Sequence, residues 1–211
     1  NSSPKKENGQ SHLFANFYRN IKKENSNNSF ELNFQHVADN KYLKRYQLNT
    51  KLAKHNVINT LENHLDFTHE EDDLLLGLKF SAYETLDDTY NDKYEYVLPD
   101  LVANKNLFSS RRYGNADLLS NLKVHQFDTN KTKKYFINDI NWESTKHSLS
   151  SLKGQFLGKL KNINYETSNI DDLKSSQTSE LFGAFGYLSE FGLIKESDYT
   201  LKQTLTPKIL L

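Results

Sequence analysis

The chain has no cysteine and no methionine, only three prolines and a single tryptophan in 211 residues. Zero cysteine excludes disulfides, thiolate nucleophiles and thiolate-held metals within this stretch, although it identifies no compartment. Excess charge of either sign is also missing: 27 Lys+Arg balance 27 Asp+Glu. The broad positive field of a nucleic-acid binder is therefore absent, and no nucleic acid is expected as a partner. Long apolar runs are lacking as well. The longest nearly uncharged stretch, Leu181 to Ser189, is well short of the roughly 18 residues of a spanning helix. Familiar catalytic signatures (GxSxG, a Walker loop, GxGxxG, HExxH) do not occur, so the chain reads as non-enzymatic and calls for no cofactor or metal.

What is present is polar yet aromatic. Hydrophobic residues make up 36% and the mean hydropathy is -0.77, while 13 Phe and 12 Tyr bring aromatics to 12%. Disordered chains are poor in aromatics, so this composition has to fold. Alternation of period two shows how. In Phe30-Glu31-Leu32-Asn33-Phe34-Gln35 apolar and polar residues alternate strictly, as in a strand with one greasy and one wet face. Leu74, Leu76, Leu78, Phe80 and Ala82 repeat the pattern, as do Ala116, Leu118, Leu122 and Val124.

Turn-forming clusters separate these runs at 22–28, 69–73, 87–92, 128–133, 168–176 and 195–198. About ten strands are expected, over 12–19, 29–37, 56–68, 73–84, 93–104, 113–127, 133–143, 149–166, 178–190 and 199–211. In 149–166 the spacing of Leu152, Phe156 and Leu160 would also suit a helix, but Gly154 and Gly158 each cost a helix interior about 1 kcal/mol and favour a strand. Pro99 and Pro207, which cannot donate to a ladder, should mark a bulge or weakened pairing.

Strand length carries the argument further. Soluble strands usually run about five or six residues, whereas most of these are nearer ten. An eleven-residue strand rises roughly 36 Å, and a tilt of about 45° leaves roughly 25 Å of height, the apolar band of an outer-membrane barrel. The expected fold class is thus all-β: an antiparallel up-and-down meander of long strands, a fragment of a large transmembrane β-barrel. The expected organisation is a single partial barrel domain over 1–211, truncated at both ends because the chain opens on Asn1 and stops in the apolar run Ile209-Leu210-Leu211, with 1–10 irregular. Aromatics near strand ends (Tyr83, Tyr90, Tyr94, Tyr96, Phe108, Tyr113, Trp142, Tyr165) would suit an interfacial girdle.

Other constellations are weak. His64 and His69 lie an odd five residues apart, so a strand sends them to opposite faces rather than to one metal. Asp87, Asp88, Asn91 and Asp92 lack the ligand spacing and glycine of a calcium loop. The Asn27 and Asn130 sequons are the chance product of an Asn-rich chain. Lys44-Arg45 and Arg111-Arg112 are candidate contacts for anionic sugars or lipid phosphates.

Three segments carry a resemblance. Val37-Ala38-Asp39-Asn40-Lys41-Tyr42-Leu43-Lys44-Arg45-Tyr46 is similar to an "S-D-x-x-Y-L-R-R-Y" stretch, with Ala38 in place of Ser. Asp92 to Asp100 is similar to a strand carrying "LP", here Leu98-Pro99. Leu201 to Ile209 is similar to "TLxP" followed by a basic residue, here Pro207-Lys208. In order, they resemble the middle of the barrel domain of the lipopolysaccharide-assembly family (LptD, or organic solvent tolerance proteins), with Asp39, Tyr42, Leu43, Arg45, Tyr46, Pro99 and Pro207 as motif positions. The resemblance implies a translocon in the bacterial outer membrane that inserts lipopolysaccharide into the outer leaflet. Its implied partners are lipopolysaccharide, a plug lipoprotein and a periplasmic bridge. The alternatives are another outer-membrane channel of porin type, or a soluble β-sandwich binding carbohydrate or lipid.

Overall fold

The computed structural model describes residues 11–41, 43, 59–149, 152–170, 175–196 and 202–211. The expected irregular segment 1–10 lies outside them. The elements run β1 (His12–Lys22), β2 (Ser26–Val37), β3 (Thr60–Glu71), β4 (Leu74–Thr85), β5 (Tyr94–Ser110), β6 (Gly114–Phe127), β7 (Thr132–Glu143), β8 (His147–Leu149), β9 (Leu152–Ser168), β10 (Thr178–Phe191), β11 (Leu193–Glu196), β12 (Lys202–Leu205) and β13 (Lys208–Leu210). The fold is an antiparallel up-and-down meander in one sheet, ordered β1-β2-β3-β4-β5-β6-β7-β9-β10-β13, with β8 paired to β9 and a separate β11–β12 ribbon.

Alternation fixes the register. A slip of one residue would exchange the greasy and wet faces of a whole strand, and the observed pairing keeps like with like: Phe17 opposes Leu32, Leu32 opposes Leu65, Leu65 opposes Phe80. The strand expected over 149–166 is β9, and its glycines have a packing role, since the Trp142 ring lies against Gly158 with Cε3 3.2 Å from where a Cβ would stand. The 128–131 turn is closed by Asn130, and Asn169 follows β9; both are left-handed (φ 57°), a conformation Asn tolerates better than most side chains.

Pro99 does mark a bulge. The pair Leu98-Pro99 stands opposite the single residue Phe80 of β4 and the single residue Val124 of β6, so the extra residue sits where proline has no N–H to offer either neighbour. Pro207 does more than weaken a strand. The single strand expected over 199–211 is broken there: β12 joins β11, β13 joins β10, and the Pro207 carbonyl accepts from the Phe191 amide at 3.1 Å. The short β8 and β11 were not foreseen, and β11 occupies part of the expected 195–198 turn.

Burial is sparse. Val37, Leu43, Leu61 and Leu86 form one small cluster with Phe14 against it, at the end of β2 and β3 where the ladder stops at Asn33–His64. Every other substantial contact between elements is between hydrogen-bonded neighbours. Among the described residues the sheet is a single layer.

Gly114, at φ +84°, starts β6 with its Cβ direction blocked by the Glu143 carbonyl at 1.9 Å. Gly114→Ala should therefore lower stability by about 1–3 kcal/mol, seen as a lower denaturation midpoint; an unchanged midpoint would contradict the assigned turn.

Candidate functional site

The two faces of this sheet differ in chemistry. One carries Leu13, Phe17, Phe30, Leu32, Phe34, Leu65, Phe67, Leu74, Leu76, Leu78 and Phe80 on the first four strands, then Leu101, Leu118, Leu122, Phe136, Ile140, Trp142, Phe156, Leu160, Leu181 and Phe185. No element covers it among the described residues, and Phe185 and Leu181 stand 71% and 67% exposed.

The greasy side chains do not form a straight band. Followed directly across the pairing, the row Phe17–Leu32–Leu65–Phe80 passes the Leu98-Pro99 bulge and Val124 and emerges at Lys134 and Glu166, an exposed ion pair at 3.6 Å. On β9 and β10 the apolar centre has climbed to Phe156 and Phe185, about eight residues further along. With strands about 4.8 Å apart and a rise of about 3.4 Å per residue, that drift inclines the band by about 35° from the perpendicular to the strands, within the range of strand tilt in closed barrels.

The opposite face is laced with charge. Glu62 accepts from Lys79 at 2.7 Å and lies 3.2 Å from Nδ1 of buried His64, whose Nε2 is 3.5 Å from Glu31. Lys123 pairs with Asp100 at 2.9 Å, and His125 with Glu95 at 3.0 Å. Asp139 holds both Lys159 (3.2 Å) and Lys161 (3.1 Å). A cleft of about 540 Å³ opens on this face toward the 86–93 connection, lined by Tyr83, Tyr90, Glu95, Lys123 and His125. Such a face presents fixed donors and acceptors to water or to a polyhydroxylated or charged solute.

The residues singled out from sequence do not converge on one point. Asp39 accepts from the Lys41 amide at 2.9 Å, and Leu43 is buried in the small cluster. Tyr42, Lys44, Arg45 and Tyr46 lie outside the described residues. Pro99 is in mid-strand, whereas Arg111, Arg112 and Pro207 lie at the other sheet edge. Of the aromatics expected near strand ends, Tyr94, Tyr96, Phe108 and Trp142 share the apolar face, but Tyr83 and Tyr165 fall on the charged one. His64 and His69 do point to opposite faces: His69 bonds Asn28 at 2.8 Å and lies 3.4 Å from Glu71. The ion pairs themselves were missed, because their partners are brought together only by strand register.

Two connections are clamped together. Asp92 accepts from the Thr129 amide at 3.0 Å and from the Thr129 hydroxyl, and these bonds hold its carboxyl below the usual aspartate range. No protein-family model matches the chain, and no curated protein matches its sequence.

The depressed Asp92 value means the clamp contributes fully above the ordinary value of 3.8 and is lost as pH falls through the lower folded one. Relative to its intrinsic rate at each pH, the Thr129 amide should lose protection from hydrogen exchange in that acid window, and Asp92→Asn should remove that pH-dependent loss; protection unchanged across the window in both forms would refute the clamp.

Proposed function

We propose that this chain is a stretch of the wall of an outer-membrane β-barrel, non-enzymatic, with its apolar face against hydrocarbon and its charged face against a hydrated lumen. One observation carries the reading: a greasy band, uncovered by the chain's own described elements, that slopes across a single-layer sheet at the inclination a tilted barrel wall requires. A soluble sandwich would turn such a face toward a second layer. In a bilayer the hydrocarbon is the second layer, and closing the strands into a cylinder satisfies the backbone groups of both edges.

Within that reading, the cargo we favour is lipopolysaccharide, inserted into the outer leaflet by a translocon with a plug lipoprotein and a periplasmic bridge as partners. The support is the ordered set of motif segments around Asp39-Leu43, Leu98-Pro99 and Pro207-Lys208. A face rich in Asn, Lys, Asp and Glu also suits a bulky saccharide, which needs dense, hydrated hydrogen bonding rather than a dry pocket.

Two substitutions separate the faces. Leu78→Arg, on the apolar face, should destabilise the membrane-inserted protein by about 2–4 kcal/mol, whereas Val102→Arg, on the charged face, should cost little. Equal tolerance of both would contradict a hydrocarbon-facing surface. A photocrosslinking residue placed at Asn121, on the charged face, should give a lipopolysaccharide adduct in outer membranes exceeding that from the adjacent Leu122 position. Membrane insertion without that adduct would exclude the lipopolysaccharide reading and leave a channel of another specificity.

A further inference from the structure

Resting on the membrane reading above, we propose a binding site for a glycerophospholipid phosphate at the 111–113 turn, formed by Arg111 and Arg112 beside an aromatic pavement. The turn is tied to the next hairpin. Trp142 Nε1 donates to the Tyr113 carbonyl at 2.8 Å, and Thr145 Oγ1 donates to the Arg111 carbonyl at 2.7 Å. Trp142 continues into stacked rings on the apolar face: Phe185 lies 6.5 Å away at 13°, and Phe156 lies between Phe185 (5.8 Å) and Tyr187 (4.9 Å).

This is an amphipathic assembly of the kind that sits at headgroup level, with ring bodies toward acyl chains and polar tips toward water. Its charge is uncompensated. The Arg112 guanidinium lies 5.3 Å from the centre of the Tyr113 ring, both arginines are exposed, and no carboxylate of the described residues pairs with either. The nearby Lys146, by contrast, has a carboxylate partner, Glu190 at 3.3 Å, which it shares with Lys208 at 3.2 Å. Two exposed guanidinium forks on a turn bonded to the ring-bearing hairpin match a phosphate ester bonded to acyl chains, since each fork can donate two parallel hydrogen bonds to phosphate oxygens.

The edge to which the site belongs selects the lipid. On this edge the connections 23–25, 72–73 and 111–113 are short and 144–151, which contains β8, is longer; on the opposite edge 38–59, 86–93 and 169–177 are long and 128–131 is short, so the short turns predominate on the side of Arg111 and Arg112. Outer-membrane barrels keep short turns on the periplasmic side, where the leaflet is made of glycerophospholipid.

Trp142 is the sole tryptophan, so its fluorescence reports the site directly. The protein would be reconstituted in phosphatidylcholine vesicles carrying acyl chains brominated near the headgroup or near the terminal methyl, with phosphatidylglycerol titrated in. We expect stronger quenching by the shallow bromines, and a several-fold enrichment of brominated phosphatidylglycerol around Trp142 that the double variant Arg111→Gln/Arg112→Gln abolishes without changing the depth. Absence of quenching by either bromine position would overturn the membrane reading and this site together. Quenching with an enrichment that survives the double variant would overturn the site alone, as would an arginine-dependent enrichment of lipopolysaccharide greater than that of phosphatidylglycerol.

Discussion

A sheet with one greasy face has to put that face against something other than water, and the rest of this molecule follows from how that requirement is met. Apolar surface is the main source of folding free energy and roughly proportional to what is removed from water. Yet among the described residues the buried apolar cluster is Val37, Leu43, Leu61 and Leu86 with Phe14 beside it. The long strands are held side by side by their ladders and not by a packed centre. A row of large apolar side chains, from Phe17 on β1 to Phe185 on β10, stands on one face of a single layer.

The slope of the greasy band adds what alternation alone cannot supply. Any two-faced sheet alternates, whether in a sandwich or in a barrel. A perpendicular row that begins greasy at Phe17 and Leu32 and ends ionic at Lys134 and Glu166 shows that the apolar surface follows an axis inclined to the strands. The Leu98-Pro99 bulge lies on that row, in the middle of the sheet, where an extra residue increases local twist and bends the strand. The charged face follows the same register on the other side of the sheet, pairing Lys79 with Glu62, Lys123 with Asp100, and Lys159 and Lys161 with Asp139.

Much of this fold was legible in the sequence. Period-two runs such as Leu74 to Ala82 announced their strands and faces, because only a pleated strand puts every second side chain on one side. The choice of strand for 149–166 also followed from local chemistry, with Gly154 and Gly158 disfavouring a helix. What stayed hidden depends on pairing between distant segments. Nothing within β9 reveals that Lys159 and Lys161 share Asp139 of β7, or that Gly158 lies under the Trp142 ring. Tyr83 and Tyr165 were grouped with the other aromatics by proximity to strand ends, but parity within their strands puts them on the charged face. Pro207 is legible as a bulge or a weakened pairing site, but the break of 199–211 into β12 and β13, and the pairing of β12 with β11, depend on where β11 runs.

The most direct measurement is of depth. Spin labels placed singly at positions 32, 134 and 185 in reconstituted bilayers, on a chain with no native cysteine, would be read by their relative exposure to oxygen and to a water-soluble nickel complex. The account predicts that Leu32 and Phe185, about eight residues apart in register along a wall tilted by about 35°, report the same depth in hydrocarbon, while Lys134, level with Leu32 across the strands, reports the aqueous interface. Equal water exposure at all three positions would contradict it.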